Sequence, residues 1–163
     1  MKISCVWEHN GKDSLLYAER FPGAFTRGPF KAEAVRKMPA EIKSYLRWRG
    51  GPVPDAFEVE IVQEKSSALT VSDADSDVLF DSERQALSPP EYAELKALAL
   101  RSARDFLTLF EAIPDPNRSC LPARETFYGL VPPRRWRCTS TQRMSTSIIL
   151  VRSAFLRTTR APF

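Results

Sequence analysis

Between Ile3 and Val62 the apolar residues change period twice, and that change restricts the fold more than any other feature of the chain. Ile3 to Glu8 is a short apolar run, followed by the polar, glycine-containing stretch His9-Asn10-Gly11-Lys12-Asp13 and a second run from Ser14 to Glu19. Two β-prone runs joined by such a turn predict a hairpin. Pro22-Gly23 predicts a type II turn, because glycine accepts the positive φ at the third position. Ala24 to Arg27 then forms a short third strand ending at Gly28. From Lys31 to Trp48 the period becomes helical, with Val35, Met38, Ile42, Tyr45 and Leu46 on one side. Pro39 is expected to kink or split this helix, since it cannot bond the carbonyl of Val35. Gly50-Gly51-Pro52 stops it. Phe57 to Val62 alternates apolar and acidic residues, the pattern of a half-buried strand. The expected unit over residues 1–65 is β-β-β-α-β, of α+β class.

Residues 66–87 are rich in Ser and Asp and read as a solvated acidic linker. Asp73, Asp75 and Asp77 are spaced like part of a calcium loop. The pattern fails because no glycine and no twelfth-position glutamate follow. A helix is expected from Pro89 to Ile113. Ser88 serves as its cap, Pro89 suits the first turn, and Glu91 completes a capping box. Tyr92, Leu95, Leu98, Ala99, Phe106, Leu109, Phe110 and Ile113 sweep out one apolar face. A lone amphipathic helix of this length needs partners to cover that stripe. Residues 124–133 are expected to form a loop.

Composition excludes several functions. A single histidine, His9, rules out a multi-histidine metal site, and Cys5, Cys120 and Cys138 have no zinc-type spacing. His9 is expected to be a solvated turn residue without a carboxylate partner, and Cys5 a buried strand residue. Trp48, between Arg47 and Arg49, is expected to pack its ring at the helix end. No apolar run reaches the ~20 residues of a membrane span. Glu8, His9 and Lys12 interrupt the apolar stretch that a leader would need. The expected compartment is the cytoplasm. No cofactor, metal or catalytic residue is expected.

The residues Tyr17-Ala18, Phe21-Pro22-Gly23, Gly28 and Glu33-Ala34, followed by a helix and a last strand, resemble the HicB family of antitoxin-type domains. The likeness covers about residues 1–65. It departs where Pro29-Phe30 replaces the usual Thr or Ser before the helix, and no DNA-binding motif follows Val62. It implies the fold and a protein partner, not autorepression. The helix after Ser88 and the segment Arg124-Glu125-Thr126-Phe127-Tyr128-Gly129 with Val131-Pro132-Pro133 resemble DinB-like proteins, over about residues 78–133. In that family four helices form a bundle, and the metal sites that occur in it use histidines from several helices. The motif residues carried forward are Tyr17, Pro22, Gly23, Gly28, Glu33, Ser88 and Glu91.

Charge breaks off with the DinB-like likeness. Residues 1–133 hold all 20 acidic residues against 17 basic ones, a net −3, whereas residues 134–163 hold seven arginines and no acid. These arginines are scattered among Ile148, Leu150, Phe155 and Thr residues and make no continuous basic face, so no nucleic-acid arm is expected. The tail reads instead as translated out of frame. Shifted near codon 134, the same bases, with ordinary codon choices, can encode an acidic, histidine-containing string that looks like a DinB-like second helix. The expected protein is thus a non-enzymatic partner-binding unit with a truncated bundle, able to self-associate through the bare helix face. The alternative is an inactive fragment of a DinB-like metal-dependent transferase or hydrolase. The nucleotide sequence across codons 133–136 tests the frame: a one- or two-base correction is expected to open the acidic string. Stop codons or unrelated residues in both other frames overturn this.

Overall fold

The computed structural model describes residues 1–71, 75–115, 124–126 and 129–131. It divides into two units, 1–86 and 87–163. The first has the expected α+β order: β1 (Lys2–His9), β2 (Ser14–Ala18), β3 (Phe25–Gly28), α1 (Lys31–Arg49) and β4 (Glu58–Ser66). The sheet order is β3-β2-β1-β4. The first three strands form an antiparallel meander, and β4 lies parallel to β1. A parallel neighbour needs a crossover, and α1 supplies it.

The turns follow from local chemistry. The Asn10 side-chain oxygen accepts the amides of Lys12 and Asp13 at 3.0 and 2.9 Å, and Gly11 takes φ +82°. At the second turn Ala24 N–H donates to the Phe21 carbonyl at 2.8 Å, with Gly23 at φ +91° in the position that a type II turn reserves for glycine. Gly28 serves a different need. A Cβ built there would lie 2.8 Å from Cβ and Cγ of Glu33, so this glycine lets the first turn of α1 close onto the end of β3.

Alternation and register sort the strands into two faces. Ile3, Cys5, Trp7, Leu16, Ala18 and Thr26 share the face toward α1, and the Thr26 hydroxyl donates to the Ala34 carbonyl at 2.8 Å. Ala34, Met38, Ile42 and Tyr45 are the buried residues of the helix. The helix runs unbroken through Pro39, contrary to the expected split. Apolar residues on both sides of the proline dock on one sheet, and that shared burial outweighs the lost hydrogen bond. Gly50, at φ +75°, ends the helix, with Gly51 N–H on the Leu46 carbonyl at 3.0 Å.

The other face holds Val6, Glu8, Leu15, Tyr17 and Arg27. Val6, Glu8 and Leu15 are fully buried, so this face is covered too. The cover is the segment read as a free linker. Ser67 and Val71 are buried, Arg27 donates to the Val71 carbonyl at 3.0 Å, and Phe80 packs on Tyr17 with ring centres 5.6 Å apart. The acidic stretch thus belongs to the first unit. Its Ser and Asp residues suggest solvation, but the groups that bind them stand on distant strands. β4 also exceeds the expected Phe57–Val62, because pairing with β1 carries its polar end on to Ser66. A bulge at Val62 sits between the pairs Cys5–Ile61 and Val6–Gln63.

In the second unit α2 spans Pro89–Glu111 and starts with the predicted capping box. The Ser88 amide donates to the Glu91 carboxylate at 2.8 Å. The expected loop contains two short antiparallel strands, β5 (Arg124–Thr126) and β6 (Gly129–Val131), each too short for alternation to show. The tail after Val131 lies outside the described residues.

Gly28→Ala is expected to lower the stability of the first unit by roughly 1–3 kcal/mol, the range for forcing a methyl group into filled space. Urea unfolding checks this. An unchanged midpoint would show that α1 can move off β3 without cost.

Candidate docking surfaces

Of the motif residues, Tyr17, Pro22, Gly23, Gly28 and Glu33 fall in the first unit, and Ser88 and Glu91 cap α2 in the second. They do not form a reaction centre. Pro22, Gly23 and Gly28 shape turns and a close approach. Glu33 receives Arg36 at 2.8 Å and Lys37 at 3.2 Å, and hydrogen bonds from these two hold its carboxyl down at about 2. The hydrogen bonds between Ser88 and Glu91 lower the Glu91 carboxyl in the same way. As expected from Pro29-Phe30, α1 has no side-chain cap at Phe30.

Tyr17 does more than shape the hairpin. Its hydroxyl donates to Glu8 Oε2 at 3.3 Å, and the same oxygen accepts the Ser76 hydroxyl at 2.6 Å. The Asp77 amide donates to Glu8 Oε1 at 3.1 Å. Burial pushes the Tyr17 phenol up. The Ser76 hydroxyl pulls it partly back, and the charge of Glu8 raises it again. Periodicity gave no sign of this network. The one signal in the sequence was an acid, Glu8, inside an otherwise apolar strand.

His9 also departs from expectation. It is the last residue of β1, its ring stacks on Trp7 at 4.1 Å, and its Nε2 lies 3.2 Å from Glu64 on β4. The Lys31 ammonium sits 4.2 Å from the centre of the Trp7 ring. The carboxylate partner comes from a strand 55 residues away, which no local pattern reveals. The pair fastens β4 to β1, with no nucleophile beside it in the described contacts. Trp48 packs edge-on against Tyr45 at 5.6 Å, as expected for the end of α1.

Cys5 is fully buried, and its thiol is pushed up to about 12, first by burial and then by the charge of Glu19. Among the described residues no group of three His, Cys, Asp or Glu side chains is placed to hold a metal ion. None of the described helices is long and apolar enough to cross a membrane. An open concavity of about 880 Å³ lies where the loops at 10–13, 27–29 and 67–70 meet. Two of its cations are engaged within the fold: Lys37 donates to the Arg27 carbonyl at 2.9 Å, and Arg27 to the Val71 carbonyl at 3.0 Å.

Two surfaces remain unspent. The outer edge of β4 has no strand beside it among the described residues. None of its nine residues is buried, and Val62 at the bulge is 48% exposed. Along that strand stand Glu58, Glu60 and Glu64 against a single Lys65. On α2 likewise no residue is buried, and Leu109 is 69% exposed. The chain matches no family model, no curated protein and no solved structure.

Because the thiolate is the reacting form, Cys5 in the folded protein is expected to alkylate on the order of a hundredfold more slowly at pH 8 than in urea. Peptide mapping after a timed iodoacetamide pulse separates Cys5 from Cys120 and Cys138. Equal labelling in both conditions would show that the strand opens freely.

Proposed function

We propose that the chain is a non-enzymatic, cytoplasmic partner-binding protein, a HicB-like antitoxin-type unit fused to the first helix of a DinB-like bundle. Its partner docks along the β4 edge. The observation that carries this reading is the edge itself, nine residues long with no buried side chain and with Val62 exposed. An unpaired strand edge offers backbone donors and acceptors to an added strand. Native proteins guard such edges with charges and bulges, and β4 has both. Those guards leave room for a selective partner. Glu58, together with Glu60 and Glu64 that already meet Lys2 and His9, outnumbers the single lysine of the strand and favours an extended segment carrying Lys or Arg over a second acidic β4. The likeness to HicB draws support from the glycine turn at Phe21–Ala24 and from the close contact of Gly28 with Glu33.

One observation favours the second reading, an inactive product of a DinB-like transferase or hydrolase. A 23-residue helix with a full capping box has no buried residue. Such a helix suits the opening of a bundle whose remaining helices are missing, and its stripe also suits self-association.

Photo-crosslinking in the producing cell tests the first reading. A benzoylphenylalanine at position 62 is expected to capture a defined partner through a basic extended segment. The same label at Lys43 on α1 is expected not to capture it, and Val62→Pro should abolish association. Equal capture from both positions, or a crosslink that maps to a folded surface of the partner, overturns the edge as the docking site.

A further inference from the structure

The carboxylate of Glu8 is fully buried, and its hydrogen-bond donors come from two directions. Tyr17 reaches it from the neighbouring strand, whereas Ser76 and the Asp77 amide reach it from a segment 68 and 69 residues later in sequence. A buried carboxylate without donors is strongly unfavourable, so these contacts are needed wherever Glu8 stays charged. Four residues on, the same segment is held again. Gln63 on β4 donates to the Leu79 carbonyl at 3.0 Å and accepts the Asp81 amide at 2.9 Å. Lys65, the neighbour of Glu8 in register, lies 3.8 Å from Asp77.

The segment is anchored on its apolar side by a ring contact, Phe80 on Tyr17 at 5.6 Å. Residues 75–84 include no buried residue, and Leu79 is 52% exposed. Yet they lie on the face where Val6, Glu8 and Leu15 are fully buried. A cover held mainly by polar contacts, over a face that α1 does not need, opens at much lower cost than the unit unfolds.

We infer that residues 76–81 form a releasable strap, latched by Glu8 at one end and Gln63 at the other, which opens as a unit while the sheet and α1 stay folded. Release uncovers Glu8 and Tyr17 and frees Gln63 and Lys65 on β4. The strap therefore governs the strand proposed above as the docking edge; this regulatory consequence rests on that reading, whereas the latch itself does not.

Amide hydrogen exchange on the full chain, with no partner present, tests the latch. Glu8→Gln keeps the shape but replaces one acceptor oxygen with an NH2 group, which cannot accept from whichever donors it faces, the Tyr17 and Ser76 hydroxyls or the Asp77 amide. The Asp77 and Asp81 amides are expected to exchange about tenfold faster or more, while the amides of the β1–β2 ladder keep their rates. Ser76→Ala, at an exposed position, removes one donor and leaves Glu8 in place. It is expected to speed both amides about fivefold, the effect of one lost hydrogen bond. Gln63→Ala should speed Asp77 as well as Asp81. Equal acceleration of the ladder amides in Ser76→Ala would make the segment part of the core. Acceleration of only one of the two strap amides, or of neither, would show that no unit opens. A failed crosslink from position 62 would leave these rates unaltered, so the two ideas fail separately.

Discussion

Burial of β1 and β2 on both faces is the constraint on which the first unit depends. Cys5 and Val6 are consecutive and both fully buried, as are Leu15 and Leu16. Successive strand residues point to opposite faces, so such pairs demand two covers. One is α1, which brings Ala34, Met38, Ile42 and Tyr45. The other is built from residues 67–71 and 75–84, in which Val71 is the one fully buried apolar residue. Glu8 resolves the mismatch. By placing a carboxyl group on the second face, the strand makes that face attractive to hydroxyl and amide donors. A hydrogen bond to a charged group contributes about 1.5–3 kcal/mol, and the acidic segment can supply such bonds where it cannot supply apolar area.

The edges carry a related logic. β4 reaches its place by crossover from β3, and its parallel pairing with β1 is reinforced at both ends of the ladder. Lys2 meets Glu60 at 3.3 Å, and His9 meets Glu64 at 3.2 Å. These exposed pairs contribute little free energy individually. Their effect is on register, which matters because a one-residue slip would exchange the two faces of β4. The bulge at Val62 makes one such exchange by design. Before it Val59 and Ile61 share the face of Ile3 and Cys5, and after it Gln63 and Lys65 share the face of Val6 and Glu8. Gln63 can then fasten the strap.

The second unit offers a contrast in which local signals are complete and no residue of the helix is fully buried among the described residues. Ser88, Pro89, Pro90 and Glu91 satisfy the start of α2 without help from any other element. A helix end of that kind stabilises by about 1 kcal/mol, enough to define where a helix starts but not to hold one of this length. Most helical stability comes from burying the apolar face, and α2 buries no residue fully. The half-buried stripe, with Leu109 exposed, is what makes a bundle partner or a second copy the natural proposal for this part of the chain.

The sequence by itself determined the elements whose causes are local. Gly23 and Gly50 mark backbone with positive φ, Ser88 and Glu91 close a capping box, and the change of period between Ile3 and Val62 orders three strands, a helix and a strand. Tertiary structure decided everything that required two distant segments to meet. Only the fold could set β4 beside β1, carry α1 unbroken through Pro39, give His9 its glutamate, and turn a Ser- and Asp-rich stretch into the cover of a sheet. The physical reason is one of range. Turn geometry, caps and periodicity act within about one turn or one strand, whereas two of the three donors to Glu8 lie nearly 70 residues away and become neighbours only when the sheet has formed.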